Sequence, residues 1–138
     1  MKKRIAVVCL VLRDRDGHIL ATQRPPGKRL ELHWEFPGGK VEENEGPEEA
    51  LRREISEELS LHIGTLTRLP DVEHTYDFGA IRMIPFLHQC ATRPALTLLE
   101  HADALWIQPS AWTELTWAPA DIPILQYLLT AGNLPRPV

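Results

Sequence analysis

The apolar run IAVVCLVL, at residues 5–12, limits the possible folds more than any other segment of the sequence. Basic residues precede it, and the charged run at 13–16 follows it. A membrane-spanning helix needs about 20 apolar residues, and the flanks of this run lack the small-residue cleavage pattern of a signal peptide. The run therefore predicts a buried β-strand in a cytoplasmic protein that has no membrane partner.

Glycine and proline residues divide the rest of the chain into short strands and two helices. The predicted strands are residues 5–12, 19–24, 72–78, 81–90 and 104–107. One helix is predicted to begin at Pro47, and a second, at 121–131, is predicted to stop at Gly132. The dipeptide Gly38-Gly39 is predicted to interrupt regular structure. We therefore expect an α/β fold in which a mixed β-sheet is packed between helices.

The length and the net charge limit the partners that this chain can have. Its 138 residues suffice for a single domain at 1–138, and 43% of them are hydrophobic. The formal net charge is −4 at pH 7, whereas binding to polymeric nucleic acid depends on clustered Lys and Arg. We therefore expect no such partner. Cys9 and Cys90 lie in predicted strands without metal-ligand spacing, so both thiols are expected to be free.

The segment at residues 36–61, FPGGKVEENEGPEEALRREISEELSL, carries eight glutamates. In the helix predicted from Pro47, Glu54, Glu57 and Glu58 share one arc at i,i+3 and i,i+4 spacing. Each such pair of like charges costs about 0.2–0.5 kcal/mol, and the last helical turn favours cations instead. A divalent cation such as Mg²⁺ or Mn²⁺ would offset this repulsion. The alternative explanation is a solvated acidic helix face.

Two neighbouring features fit a metal site beside this helix. Arg53 lies next to the three carboxylates and could hold one of them in orientation. Gly38 and Gly39 lack side chains, which permits a close approach of the backbone to a ligand. The carbonyl group of Gly38 is therefore a further predicted metal ligand, although a plain tight turn also explains a glycine pair.

The segment from Gly39 to Leu61 resembles the Nudix box, G-x5-E-x7-R-E-U-x-E-E-x-G-U, in which U is aliphatic. The matching positions are Gly39, Glu45, Arg53, Glu54, Ile55, Glu57, Glu58 and Leu61. Ser60 stands where the box has glycine, and a left-handed residue there would cost about 1 kcal/mol. The preceding stretch, WEFPGGKVE at 34–42, is similar to the same region of MutT-type members of the Nudix family.

This resemblance implies a fold, an activity and a cofactor. MutT-type Nudix hydrolases have an α/β/α sandwich and use Mg²⁺, or Mn²⁺ in its place, to convert a nucleoside triphosphate to a monophosphate and pyrophosphate. Many remove oxidised or non-standard nucleotides such as 8-oxo-dGTP. The implied metal ligands are Gly38, Glu54, Glu57, Glu58 and Glu100. The implied catalytic residues are Arg53, Glu54, Glu57 and Glu100, and the general base stays open among the three glutamates.

The resemblance and the residue types also indicate groups that bind the nucleotide. They are Arg24, Phe36, Gly39, Lys40, Phe78, Trp117 and Asp121, with Trp34 as a further base-stacking candidate. Aromatic residues of a small domain also pack in the core. Asp121 equally fits a helix N-cap, which the residues alone favour. An aspartate there is similar to the cytidine-type subgroup, so CTP or a 5-substituted dCTP is the alternative substrate.

Two other classes of function stay open at this point. A nucleotide-sensing domain would use the same fold without catalysis, and a nucleotide-sugar hydrolase would use the same box. A sensor is expected to have lost acids of the box, whereas this chain keeps all of them. We therefore expect an enzyme whose partner is a small nucleoside triphosphate, as a monomer or a homodimer.

Overall fold

The computed structural model describes residues 4–131 and 134. The strands are β1 (Arg4–Arg13), β2 (Ile19–Gln23), β3 (Trp34–Glu35), β4 (Gly38–Lys40), β5 (Thr67–Arg68), β6 (Val72–Tyr76), β7 (Gly79–Gln89) and β8 (Asp103–Ile107). The helices are α1 (Pro47–Leu59) and α2 (Ile122–Thr130), and 3₁₀ turns lie at Pro109–Glu114 and Pro119–Asp121. All five predicted strands are present, and none of their ends differs from the prediction by more than two residues.

The strand β1 is the centre of a mixed sheet. It pairs in parallel with β7 along its whole length and antiparallel with β2 and β4. Val8 and Leu10 pack on one face in a cluster with α1, whereas Cys9 and Val11 pack on the other face in a cluster with α2. Because apolar clusters cover both faces of the sheet, the predicted mixed sheet between helices is confirmed.

The prediction that Gly38 and Gly39 interrupt regular structure is wrong, because both belong to β4. They lie opposite Cys9 and Val8 of β1 in an antiparallel pairing. A Cβ atom at Gly38 would overlap the carbonyl oxygen of Val8 and would lie 2.7 Å from the Cα atom of Cys9. Glycine is therefore needed here to let one strand lie close against the other.

The helix α1 begins at Pro47, as predicted, and is followed by Ser60 in a left-handed conformation, with φ 53° and ψ 43°. The backbone N–H of Ser60 donates to the carbonyl of Ser56. The helix end thus has the left-handed turn that glycine favours, although serine occupies it.

We expect Ser60→Gly to raise the free energy of unfolding by about 1 kcal/mol, because glycine has no Cβ atom to oppose a left-handed backbone. Urea denaturation of the variant and the parent protein would measure this. The matched control is Ser56→Gly inside α1, which should instead lower the free energy of unfolding by about 0.5 kcal/mol. A Ser60→Gly protein less stable than its parent would contradict the expectation.

The last helix, α2, is one residue shorter at each end than predicted. The stop predicted at Gly132 lies outside the described residues. Asp121 lies in the preceding 3₁₀ turn with helical backbone angles, and its side chain makes no capping hydrogen bond. Asp121 thus occupies the predicted N-cap position of α2, but its side chain accepts a hydrogen bond from the backbone of Phe36 instead of capping the helix. Within residues 4–131 and 134, neither helix has the length and apolar character needed to cross a membrane.

Candidate active site

A cavity of about 190 Å³ lies between β4, α1 and the loop before β8, and we call it the acidic cavity. The predicted metal ligands that line it are Gly38, Glu54, Glu58 and Glu100. Glu57 does not line it, and its exposed carboxylate lies 3.4 Å from Nη1 of Arg53. The fold thus brings Glu100 from a distant part of the sequence to two glutamates of the box.

Arg53 connects the helix face to the preceding loop. Its Nε and Nη2 atoms donate to the two carboxylate oxygens of Glu45 at 2.7 and 3.0 Å, and Nη1 donates to Glu54 at 2.9 Å. Nη2 also donates to the carbonyl of Lys40 at 3.1 Å. The guanidinium group lowers the pKa of Glu45 to about 2. Because these bonds fix the guanidinium, Arg53 sets the orientation of the Glu54 carboxylate.

Gly39 lies directly beneath the Glu54 carboxylate. A Cβ atom at Gly39 would lie 2.5 and 2.6 Å from the two carboxylate oxygens of Glu54, which is closer than van der Waals contact allows. The second glycine of the pair therefore leaves room for the Glu54 carboxylate of the box and does not form a turn. Local sequence gives no sign of this contact, because it joins β4 to α1.

Glu58 is the most deeply buried acid of the acidic cavity, with 4% of its surface exposed. Burial, followed by the nearby carboxylate of Glu54, raises the pKa of Glu58 far above its ordinary value. The Nε2 atom of His101 lies 3.5 Å from Glu58 and 3.1 Å from Glu35. Both His101 and Glu35 line the cavity, and the sequence analysis missed both. Only their contacts across the fold reveal them.

A second cavity, of about 260 Å³, contains the rings of Phe36, Tyr76 and Phe78, and we call it the aromatic cavity. The predicted nucleotide-binding residues that line it are Arg24, Phe36, Gly39, Lys40, Phe78 and Asp121. Phe78 is 46% exposed and stacks on Tyr76 with ring centroids 5.4 Å apart. The guanidinium of Arg29 lies 4.7 Å from the Phe78 ring centroid. Tyr76 and Arg29 were not predicted from the sequence.

Trp34 and Trp117 lie in the core, which is the alternative to base stacking that the sequence left open. Both are buried, and neither lines a described cavity. The Trp117 ring packs 5.3 Å from Phe36, and its Nε1–H donates to the carbonyl of Trp112 at 2.9 Å. These tryptophans therefore support Phe36 from the core and do not form the wall of the cavity.

Asp121 forms part of the floor of the aromatic cavity and is 3% exposed. Its Oδ2 atom accepts a hydrogen bond from the backbone N–H of Phe36 at 3.3 Å, whereas its buried Oδ1 atom has no hydrogen-bond partner among the residues that the structure describes. Burial, followed by the nearby Glu35 carboxylate, raises the pKa of Asp121 well above its ordinary value. A buried oxygen without a partner calls for an explanation, and a donor group of a ligand would supply one.

The raised pKa of Asp121 makes the stability of the protein depend on pH. A carboxyl group with a raised pKa in the folded state stabilises the fold fully below its unfolded pKa, near 3.9, and this contribution is lost as pH rises through the folded value. We therefore expect Asp121→Asn to have a melting temperature that rises relative to the parent protein from pH 5 to pH 9. Calorimetry at a series of pH values would measure the difference. Asp77→Asn, at an exposed turn, controls for the loss of one charge, and a difference for Asp121→Asn that is independent of pH would contradict the expectation.

One group of three side chains, among the residues that the structure describes, lies close enough to share a cation: Asp14, Asp16 and His18, within 4.8 Å of one another. This group is at the turn between β1 and β2. Asp14 already accepts hydrogen bonds from two backbone N–H groups of the turn and from Nε of Arg93 at 2.8 Å. These bonds are typical of an Asx turn, which explains the group without a metal.

The acidic cavity matches a hard divalent cation in the type of its donors, whereas no three of its acids lie within 4.8 Å of one another in the described part of the chain. Glu54, Glu58 and Glu100 line it with carboxylate groups, and Gly38, whose polar groups are those of its backbone, lies in the same wall. These are the ligands that Mg²⁺ and Mn²⁺ prefer. Arg24, at the edge of the cavity, is already paired with Glu35 at 2.9 Å. The cluster of carboxylates is therefore not neutralised by this arginine.

Similarity to known proteins agrees with this geometry. CTP pyrophosphohydrolase of Escherichia coli (strain K12) is 36% identical over 124 residues, which cover 90% of this chain and 90% of that protein. 8-oxo-dGTP diphosphatase of Proteus vulgaris is 37% identical over 86 residues, which cover 62% of this chain and 77% of that protein. Both relatives are named as enzymes that act on a nucleoside triphosphate.

Solved structures show the same fold. The solution structure of the E. coli ORF135 protein superposes with a TM-score of 0.81 at 32% identity and covers 97% of this chain and 96% of that one. The MutT protein from Methanosarcina mazei Go1 gives a TM-score of 0.84 at 21% identity, with 96% and 98% covered. The family model of the NUDIX domain matches residues 2–128. On these grounds we conclude that the chain belongs to the NUDIX family and is a Nudix hydrolase.

Proposed function

We propose that this protein hydrolyses nucleoside triphosphates to a nucleoside monophosphate and pyrophosphate, with Mg²⁺ or Mn²⁺ held in the acidic cavity. The observation that carries the proposal is the wall that the two cavities share, which contains Arg24, Glu35 and Gly38. One cavity offers rings and a buried carboxyl group to a base, and the other offers oxygen ligands to a cation. A nucleotide with its base in the first would have its phosphates directed to the second.

The side chains in the acidic cavity and next to it on α1 would divide the chemistry among them. When bound, the cation neutralises phosphate charge and lowers the pKa of a water molecule. Arg53 keeps the Glu54 carboxylate in place over Gly39. One of Glu54, Glu57 and Glu100 takes a proton from the attacking water. Attack at the β-phosphorus then releases the nucleoside monophosphate, and the water oxygen leaves in pyrophosphate.

The residues of the aromatic cavity would select the base. Phe78 offers an exposed ring face for stacking, and Asp121 offers the unpartnered Oδ1 atom to a base N–H group. The 8-oxo-dGTP diphosphatase of Proteus vulgaris supports an oxidised purine nucleotide as substrate, in a role of clearing damaged nucleotides. The E. coli CTP pyrophosphohydrolase, similar over nearly the whole chain, supports CTP or a 5-substituted dCTP as the second candidate.

Release of the nucleoside monophosphate, measured by chromatography over a panel of nucleotides, tests this proposal, because hydrolysis of ADP-ribose yields a monophosphate but no pyrophosphate. The panel contains 8-oxo-dGTP, dGTP, CTP, 5-methyl-dCTP and ADP-ribose, each with Mg²⁺ and with the Glu57→Gln variant in parallel. The highest kcat/KM on 8-oxo-dGTP would support the first substrate class, and the highest on a cytidine nucleotide the second. Absence of turnover on every nucleotide would contradict the proposal and favour a nucleotide-sensing domain. Preference for ADP-ribose would contradict a triphosphate substrate.

A further inference from the structure

We infer that His101 is a positioning residue, which fixes the Glu58 carboxylate in the acidic cavity and connects it to the Arg24–Glu35 pair in the shared wall. The inference rests on the proposed function, because it assigns Glu58 to a cation. His101 would not touch the substrate. It would act through the two carboxylates that its ring contacts.

A single ring nitrogen of His101 lies between the buried acid Glu58 and the half-buried acid Glu35. The side chain of His101 is 4% exposed, and its Nε2 atom is 3.1 Å from Oε2 of Glu35 and 3.5 Å from Oε1 of Glu58. The side chain of Glu58 is itself 5% exposed, so water has little access to this oxygen. A buried acceptor that loses its donor is left with the full cost of desolvation. The Nε2 atom of His101 is therefore within hydrogen-bond distance of Glu35 and makes a longer polar contact, at ion-pair distance, with Glu58.

The second ring nitrogen of His101, Nδ1, does not contribute to the orientation of the ring. Nδ1 is buried and has no hydrogen-bond partner in the described part of the chain. The ring is therefore oriented through Nε2 and the two carboxylates rather than by a local turn. The loop that carries His101 is also attached to the end of α1. The N–H groups of Thr97 and Leu99 donate to the carbonyls of Leu59 and Glu58 at 3.1 and 3.0 Å, respectively.

The contacts of His101 continue into the wall between the cavities. The second carboxylate oxygen of Glu35, Oε1, accepts a hydrogen bond from Nη1 of Arg24 at 2.9 Å. A continuous series of polar contacts thus runs from Arg24 through Glu35 and His101 to Glu58. Groups that hold metal ligands in orientation typically change metal affinity by about 10–100-fold when they are removed. The same range is expected here.

Metal binding without substrate tests the inference directly. Mn²⁺ is titrated into the purified protein, and free Mn²⁺ is measured by electron paramagnetic resonance. We expect His101→Leu, which keeps the bulk of the ring and removes the donor, to weaken Mn²⁺ binding by about 10-fold or more. His101→Gln, which restores an N–H donor, should recover part of this affinity. His88→Gln is the matched control, because His88 bonds to the carbonyl of Thr65 and lines neither cavity.

The possible outcomes separate this inference from the proposed function. A parent protein that binds no Mn²⁺ would overturn the proposed cation site and, with it, the role of His101. If the parent protein binds Mn²⁺ and the dissociation constant of His101→Leu is within twofold of the parent value, only the role of His101 is overturned. Equal losses in His101→Leu and His101→Gln would exclude the hydrogen bond as the cause. If His101→Leu does not fold, His101→Asn, whose amide is too short to reach both acids, is expected to show the same loss.

Steady-state kinetics provide a second measurement that general loss of structure would not reproduce. We expect His101→Leu to raise the Mg²⁺ concentration needed for half-maximal activity by about the same factor as the Mn²⁺ dissociation constant. At saturating Mg²⁺, kcat should largely recover, because the metal ligands themselves are intact. A kcat that stays low at every Mg²⁺ concentration, with unchanged Mn²⁺ affinity, would contradict a positioning role.

Discussion

Glu54→Gln should release pyrophosphate about 10²–10⁴-fold more slowly than the parent protein, as expected when a general base or a metal ligand is lost. The Glu54 carboxylate lies over Gly39, accepts a hydrogen bond from Arg53 at 2.9 Å and lines the acidic cavity. Glutamine has nearly the same shape but no charge, so the change isolates the carboxylate. The measurement is kcat for the best substrate of the panel at saturating Mg²⁺.

The control for this prediction is Glu48→Gln, which removes the same charge from the first turn of the same helix. Glu48 is exposed and lines neither cavity, so activity should stay within about twofold of the parent. Glu57→Gln provides a useful comparison, because Glu57 points to Arg53 and not into the acidic cavity. If both Glu54→Gln and Glu57→Gln keep the kcat of the parent protein, these two carboxylates do not take part in catalysis.

The variant Gly39→Ala should lose about 100-fold in kcat while it keeps its fold, because displacement of a catalytic group by 1 Å has an effect of this size. The new Cβ atom would occupy space within 2.6 Å of the Glu54 oxygens, so the carboxylate must move. The helix α1 and the sheet need not move, because Glu54 is a long side chain at the surface of the cavity. Melting temperature and kcat, measured on one preparation, would separate the two effects.

Gly64→Ala is the matched control for Gly39→Ala. A Cβ atom at Gly64 would have its nearest neighbour, Cε1 of His88, at 3.5 Å, which is ordinary van der Waals contact. Both activity and melting temperature should therefore stay near the parent values. Full activity in Gly39→Ala would show that the carboxylate tolerates a new position, and that its contact with Gly39 does not matter for catalysis.

The features that sequence predicts well in this protein are those with a local period. The uninterrupted apolar run at 5–12 identifies the central strand, and the i,i+3 and i,i+4 spacing of Glu54, Glu57 and Glu58 identifies the acidic face of α1. Glu100 was placed by resemblance to the family, and it does line the acidic cavity. Its role as a base or a ligand stays a prediction.

The features that sequence does not predict depend on contacts between distant elements. Gly38 has the local pattern of a turn, yet the neighbouring strand β1 turns it into part of a sheet. Asp121 fits an N-cap, and only the approach of the Phe36 backbone shows that its side chain is buried instead. Trp117 and Phe78 are equally aromatic, and the sequence cannot tell which of them is in the core. The position of His101 in the site depends on contacts with two acids, Glu35 and Glu58, that lie more than 40 residues away in the chain.

The attachment of β4 to the central strand has a consequence for how this enzyme should lose activity on heating. Local opening of a protein starts where few contacts hold the backbone, and the centre of a sheet is normally the last part to open. Gly38 and Gly39, in β4, pair with one side of β1, and β7 pairs with the other side of β1 along its whole length. The backbone of β1, against which these two glycines pack, is therefore expected to be among the last parts of the protein to open. Thermal inactivation should consequently coincide with global unfolding and should not precede it.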